Sequence, residues 1–274
     1  MKSAFKVFLL IAVAATIPFV GCSDKSTNTV DNETIAASLQ TETTTLINNM
    51  GYFIDDGIDF ANYGVGSVAK PADTTYFDYD SETYWWTLYR QMDYGDPVVW
   101  TIEELDSVRF LDGETYQDEP DDSTDGLQFR ITGEEVMSYA TDSTMTLDYT
   151  FGCDYASLQD DTVNVDGAMT YYLEVVLGNF EYGYQFDCEY DDVDFYSDPY
   201  SYDDHPTSGT MTVTVYIYST GDAAQSIPSG NYHATMNLTF TEDGYDGAMT
   251  VEGENFTWAA TWDDVQNSPV YGGH

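Results

Sequence analysis

Nucleophilic catalysis by a serine or cysteine needs a histidine held beside it. The three histidines of this 274-residue chain are poorly placed for that work. His205 precedes Pro206 in an acidic stretch, His233 falls on the polar side of an alternating run, and His274 is the last residue. Paired carboxylates could do acid–base chemistry on sugars, but 49 Asp and Glu residues make any one pair uninformative. Glu103-Glu104 and Glu134-Glu135 are adjacent in sequence, so on a strand the members of each pair face opposite sides and cannot act together. The expectation is a solvated acidic surface, no catalytic residue and no enzyme.

Two acidic stretches invite a cation. Residues 112–126 carry Asp118, Glu119, Asp121, Asp122 and Asp125, and residues 191–205 carry Asp191, Asp192, Asp194, Asp198, Asp203 and Asp204. Oxygen ligands crowded on a loop are what Ca²⁺ requires, although neither stretch has the spaced Asp-x-Asp-x-Asp-Gly pattern. Asp118, Asp121, Asp122 and Asp125 are therefore candidate calcium ligands, and Ca²⁺ is the one cofactor considered; the alternative is a set of solubilising turns that bind cations diffusely.

Arg90 shares strand parity with Tyr84, Trp86, Leu88 and Met92. On that side its charge would anchor a ligand in a pocket lined by Trp86 and Tyr84. The alternative is a plain ion pair, because the opposite parity, with Trp85 and Tyr89, is equally aromatic. The tryptophans could also stack on sugar rings, though strand aromatics more often fill a core. Cys153 and Cys188 each continue the apolar face of an alternating run. In an oxidising compartment they would bridge neighbouring strands, closing a loop of 35 residues that is worth roughly 3–4 kcal/mol. The alternative is two inert buried thiols. With no histidine nearby they make no zinc site.

These residues must be positioned by strands. Met211, Val213, Val215 and Ile217 alternate with Thr212, Thr214, Tyr216 and Tyr218; Met145 to Phe151 and Phe180 to Phe186 show the same period of two. Further runs near 75–79, 83–92, 98–103, 107–111, 127–132, 135–140, 169–177, 232–240, 247–252 and 256–262 bring the count to about a dozen. A phrase recurs as Ser143-Thr-Met-Thr146, Asp166-Gly-Ala-Met-Thr170, Gly209-Thr-Met-Thr212 and Asp246-Gly-Ala-Met-Thr250. Its irregular spacing reads as hairpin turns entering strands, not as a tandem repeat. Upstream, Ile35, Leu39, Leu46, Ile47, Met50, Phe53, Ile54 and Ile58 recur mostly at three, four or seven, predicting amphipathic helix within 33–62 with Asp31 or Asn32 as N-cap.

The predicted fold is mainly β: an antiparallel curved sheet or barrel-like meander with one N-terminal amphipathic helix on its apolar side. This element order loosely resembles the carrier fold of lipoprotein-chaperone proteins, an open barrel with helices in its mouth.

Lys2 and Lys6 precede an uncharged apolar run from Val7 to Val20, the length of a secretory signal and shorter than the roughly 20 residues of a membrane-spanning helix. Phe19-Val20-Gly21-Cys22 resembles the lipobox of bacterial lipoproteins, with Phe19 where Leu is usual. The resemblance implies removal of residues 1–21 and attachment of diacylglycerol, and hence fatty acids such as palmitate, at the Cys22 thiol. Ser23 in place of Asp favours the outer membrane under the family's sorting rule. Residues 22–32 read as a polar tether and 33–274 as a single β-rich domain. After cleavage five basic residues face 49 acidic ones, a net −44, which excludes nucleic acid and leaves the acyl chains as the membrane attachment.

The sequence therefore predicts an envelope lipoprotein facing periplasm or cell surface. It would serve as a non-enzymatic binding or structural module for an envelope protein, a glycan or an apolar ligand. The alternatives are a carrier with an apolar ligand inside the barrel and, less favoured, a carbohydrate-active enzyme. A hollow interior would point to the carrier and a filled one to the module, while an exposed cleft with facing carboxylates would favour the enzyme.

Overall fold

Alternating side chains become one continuous antiparallel sheet. The structure, a computed structural model, describes residues 31–37, 39–40, 47, 75–95, 99–140, 143–196, 205–220 and 230–266. The leader, Cys22 and the tether as far as residue 30, and most of the 33–62 helical stretch lie outside these.

The strands are β1 (Thr75–Asp80), β2 (Trp85–Tyr94), β3 (Val99–Asp112), β4 (Thr115–Gln117), β5 (Gly126–Ala140), β6 (Ser143–Ala156), β7 (Thr162–Leu177), β8 (Phe180–Tyr196), β9 (Pro206–Thr220), β10 (Gly230–Thr241), β11 (Gly244–Val251) and β12 (Glu254–Thr261). They lie in sequence order from β1 to β12, except that β4 is a short tab on β3. The sheet does not close: β1 and β12 are its two edges. It is thus a curved meander of the expected kind, open and not barrelled.

Several strands are longer than their alternation suggested. The runs at 98–103 and 107–111 are one strand, β3, and those at 127–132 and 135–140 are one strand, β5. Asp166 to Thr170 lies inside β7, beside a bulge between Val165 and Gly167, and is not a hairpin turn. Asp191, Asp192 and Asp194 belong to β8, not to a loop; the register slips there, and Asp192 takes a positive φ of 53°. Gly209, at φ 97°, faces this irregularity on β9, where a β-carbon would stand 2.3 Å from the Asp192 carbonyl oxygen.

The buried face is built of register rows that cross the whole sheet. One runs Leu88, Asp106, Ile131, Phe151, Met169, Cys188, Val213, Met236, Met249, Phe256. Its apolar members each contribute about 1.5–3 kcal/mol when fully buried. Helix α1, described at 32–37 and 39–40, covers this face: Ile35, Ala36 and Leu39 are buried in the same core, as is the helical residue Ile47. Asp31 caps α1, its Oδ1 accepting the Thr34 backbone N–H at 2.7 Å. Asn32 donates to Glu254 Oε2 at 3.2 Å, tying the helix start to the β11–β12 turn. A short helix, α2 (Trp262–Gln266), follows β12. No helix among the described residues is long and apolar enough to cross a membrane.

Candidate functional site

One region of the sheet, on β2, β3, β5 and β6, carries charge on both faces. On the inner face, Arg90 stands directly opposite Glu104, and the same row continues through Gly133 to Tyr149. Asp106 occupies the next row on one side and Glu135 the next row on the other, opposite Ile102. Arg90, Glu104, Asp106 and Glu135 are all buried.

Arg90 Nη1 lies 3.0 Å from Glu104 Oε1, and its Nη2 donates to Asp106 Oδ2. The Tyr149 hydroxyl donates to the other Glu104 oxygen at 2.7 Å. Gly133 makes that reach possible: with no side chain between them, the Tyr149 ring lies across the glycine. Burial, the Glu104 charge and this hydrogen bond, in that order, push the Tyr149 hydroxyl well above its usual pKa. Glu104 and Asp106 share the one guanidinium, leaving Glu135 buried beside the Glu104 charge. Burial first, and then the Glu104 charge, raise its pKa to about 7, partly offset by the Trp100 side chain.

The outer face of the same strands forms an open groove of about 440 Å³. Two register rows line it. Tyr89, Leu105, Thr132, Thr150 and Thr170 make the first, and Glu103, Glu134, Asp148 and Tyr172 belong to the second. Glu103 is directly opposite Glu134, and Glu134 directly opposite Asp148. Like charges so placed repel, and no lysine or arginine lines the groove. Both flanking tyrosines are held in place. Tyr89 stacks on Tyr76 with ring centroids 5.4 Å apart, and the Tyr172 hydroxyl meets that of Tyr218 at 2.7 Å.

Within each adjacent pair the members part as expected, with Glu103 and Glu134 facing outward and Glu104 and Glu135 inward. The register also sets like members on the same face of neighbouring strands. Extending the parity of Ile102, Val108 and Phe110 through Glu104 and Asp106 would have exposed them.

The other candidate residues are placed as follows. Arg90 and Trp86 have different hydrogen-bond partners. Arg90 is enclosed by its two carboxylates, while the Trp86 indole donates to the Asp118 carbonyl oxygen at 2.6 Å and packs on Tyr79 with centroids 4.5 Å apart. Trp85 is on the outer face, with the Arg109 guanidinium 4.6 Å from its ring centre and 4.0 Å from that of Tyr116.

The proposed calcium ligands do not converge. Asp118 accepts from the Tyr79 hydroxyl, Asp121 from Ser123 at 2.7 Å, and Asp125 from the Gly113 N–H at 2.8 Å. No group of three or more acidic, histidine or cysteine side chains among the described residues is arranged to hold a metal ion.

The expected Cys153–Cys188 disulfide is absent. Cys153 and Cys188 are free, buried thiols, on β6 and β8, with β7 between them. Two inter-strand spacings separate their backbones by ~9.5 Å, beyond the ~7 Å that a disulfide spans. Burial, the dominant cause, raises both thiol pKa values, that of Cys188 to about 12. His205 packs at a tilt against Trp262 and His233 stacks on Tyr216, with centroids 4.7 and 4.6 Å apart.

Comparison of the chain with family models, curated proteins and solved structures yields no match.

Proposed function

We propose that this protein is a membrane-anchored envelope lipoprotein whose β domain is a non-enzymatic binding module, with the outer groove over β3, β5 and β6 as its contact site. One observation favours the module over the carrier: the described inner-face side chains form one packed core, and the described groove lies on the opposite face. Tyr184, Phe110, Phe186, Phe195, Met211 and Leu238 are almost wholly buried against one another and α1, so an apolar ligand would have to displace core side chains. Displacing them forfeits the burial that stabilises the sheet.

A carbohydrate-active enzyme is the lesser reading. The groove does hold the neighbouring carboxylates Glu103 and Glu134, but they project side by side from one face. Glycoside hydrolysis needs two carboxyl groups flanking the scissile bond from opposite sides. The anchor rests on the residues around Cys22.

Native mass spectrometry of protein isolated from its own host membrane tests the reading. Acyl mass on a chain beginning at Cys22, together with a ligand lost on Leu105→Arg substitution, is the expected result. An unacylated chain, or a retained ligand indifferent to Leu105, overturns it.

A further inference from the structure

We propose that the open edge at β12 is a self-association surface, on which a second copy of this chain adds its own β12 antiparallel across a two-fold axis. Neither the outer groove nor the lipid anchor is needed for it.

β12 ends the sheet, with no described strand beyond it. The direction of its backbone groups follows from the turn before it. β11 and β12 are joined by Glu252 and Gly253, at φ 47° and 85°, the two positive values that a type I′ hairpin requires. Such a turn is closed by a hydrogen-bonded pair, here Val251 and Glu254, and alternation then commits Phe256, Trp258 and Ala260 to β11. The Trp262 N–H, donating to the Asp243 carbonyl at 3.3 Å, keeps the same parity at the far end. Asn255, Thr257 and Ala259 therefore turn their N–H and C=O groups toward the open edge. Thr261, next in that series, gives its N–H to Asp264 Oδ2 at 3.1 Å, and the free ladder stops there.

Edge strands are normally guarded by charge, proline or a bulge. β1, the opposite edge, carries Asp78 and Asp80 in six residues. β12 has no such guard from Asn255 to Thr261, and its register with β11 runs without a slip. The described chain beyond it turns away from the edge: Trp262 donates to the Thr241 carbonyl at 3.1 Å and packs on Phe240 and Tyr245.

One register makes the strand complementary to itself. With Thr257 opposite the second copy's Thr257, Asn255 lies opposite Ala259, and all three outward residues of each chain enter the ladder. Phe256 then meets the second copy's Trp258 in the closer, non-hydrogen-bonded position, where aromatic pairs stabilise a sheet. Both rings are half-buried at the rim of the core, so the pairing extends the core across the seam. Glu254 meets Ala260, and no like charges stand opposite each other. A charged peptide finds no counter-charge on this strand, whereas another β12 matches it. The axis is normal to the sheet and keeps both inner faces on one side. It sets the two α1 starts, each tied to Glu254 through Asn32, about 20 Å apart along the seam, so both N-terminal ends can reach one membrane.

Cysteine substitution in the full chain, in its host membranes, tests the register. Thr257→Cys should give a disulfide-linked dimer on a non-reducing gel, above the wild-type chain, because hydrogen-bonded partners stand with Cα atoms about 5.5 Å apart. Ala259→Cys is displaced about 13 Å along the strand from its counterpart and should give no more than wild type. Sedimentation of the purified mature chain should show a monomer–dimer equilibrium that strengthens at least ~3-fold from 0.1 to 1 M NaCl, as salt screens two chains of net −44. Thr257→Lys sets two like charges face to face, and Thr257→Pro deletes an N–H that β11 does not use. Each should weaken the dimer at least ~10-fold, with the melting temperature within a few degrees of wild type. Equal cross-linking by both cysteine variants, or a dimer indifferent to Thr257→Lys, puts the contact elsewhere and overturns the proposal. A series of ever larger species means that β12 pairs with β1 head to tail, and overturns the two-fold. A Thr257→Cys cross-link to a different envelope protein assigns the edge to that partner and overturns self-association. A monomer at every concentration and salt, with no cross-link, overturns it outright.

Discussion

Glu135 shows how a single buried side chain sets a pH response. Its carboxyl is 1% exposed, and its pKa rises from 4.5 to about 7 through burial and the nearby Glu104. The groups acting on it are Glu104 and Trp100 on β3, and its own charge acts in turn on Tyr149 of β6. Because the folded pKa is raised, the contribution of Glu135 is fully present below pH ~4.5. It is lost as pH climbs toward 7, where the unfolded chain has released a proton that the native chain retains. The full difference is roughly 3 kcal/mol. Glu135→Gln cannot titrate, so urea denaturation should show it more stable than wild type at pH 8 by about 1–3 kcal/mol, with the gap closing at pH 4.5. A gap independent of pH would mean that Glu135 is ionised in the native state at both.

At the scale of elements, the sheet repeatedly sets an aromatic ring over a glycine on the paired strand. Tyr149 lies over Gly133, Tyr218 over Gly183 and Trp258 over Gly247, each pair in direct register. A β-carbon at Gly133 would stand 2.3 Å from the Tyr149 ring, and one at Gly183 would stand 1.7 Å from that of Tyr218. The ring covers backbone that glycine leaves bare, an arrangement known to support strand pairing. Gly133→Ala should cost about 2–4 kcal/mol, since it drives Tyr149 off Glu104 and leaves a buried acceptor without its donor. Tyr149→Ala should cost a similar amount. The two together should cost clearly less than their sum, as a double-mutant cycle by denaturation would show.

The same elements mark where the sequence was readable. Period-two alternation located almost every strand of β6 to β12, and the start of α1 was legible in Asp31 because a carboxylate cap has a local signal. The misses concentrate at the ion cluster. β3 and β5 were each split in two because Glu104, Asp106 and Glu135 sit at inward positions where alternation demands apolar residues. β8 was cut short where its acids meet a register slip. A buried charge is legible only through its partner, and the partners of Glu104 lie 14 and 45 residues away, at Arg90 and Tyr149. The groove was hidden for the same reason: Glu103, Glu134 and Asp148 become neighbours only once the register is known.

For the whole molecule the governing quantity is charge. With five basic residues against 49 acidic ones after the leader, the folded chain repels itself, and salt that shortens the screening length from about 10 Å at 0.1 M to about 3 Å at 1 M relieves the repulsion. The melting temperature should climb with NaCl. Because no described acidic group converges on a metal, CaCl₂ and MgCl₂ should act alike at equal concentration. A flat salt response would refute the charge argument, and a selective rise with Ca²⁺ would restore a specific calcium site.

The nearest-neighbour order of the sheet also bears on how the protein is made. Each strand from β6 to β12 pairs with the strand synthesised just before it, so its docking site exists by the time it arrives. Pairings between close neighbours in sequence close short loops and speed folding relative to β architectures with distant partners. A chain delivered N-terminus first can add strands in order of arrival, and β12 completes the described sheet when it docks on β11.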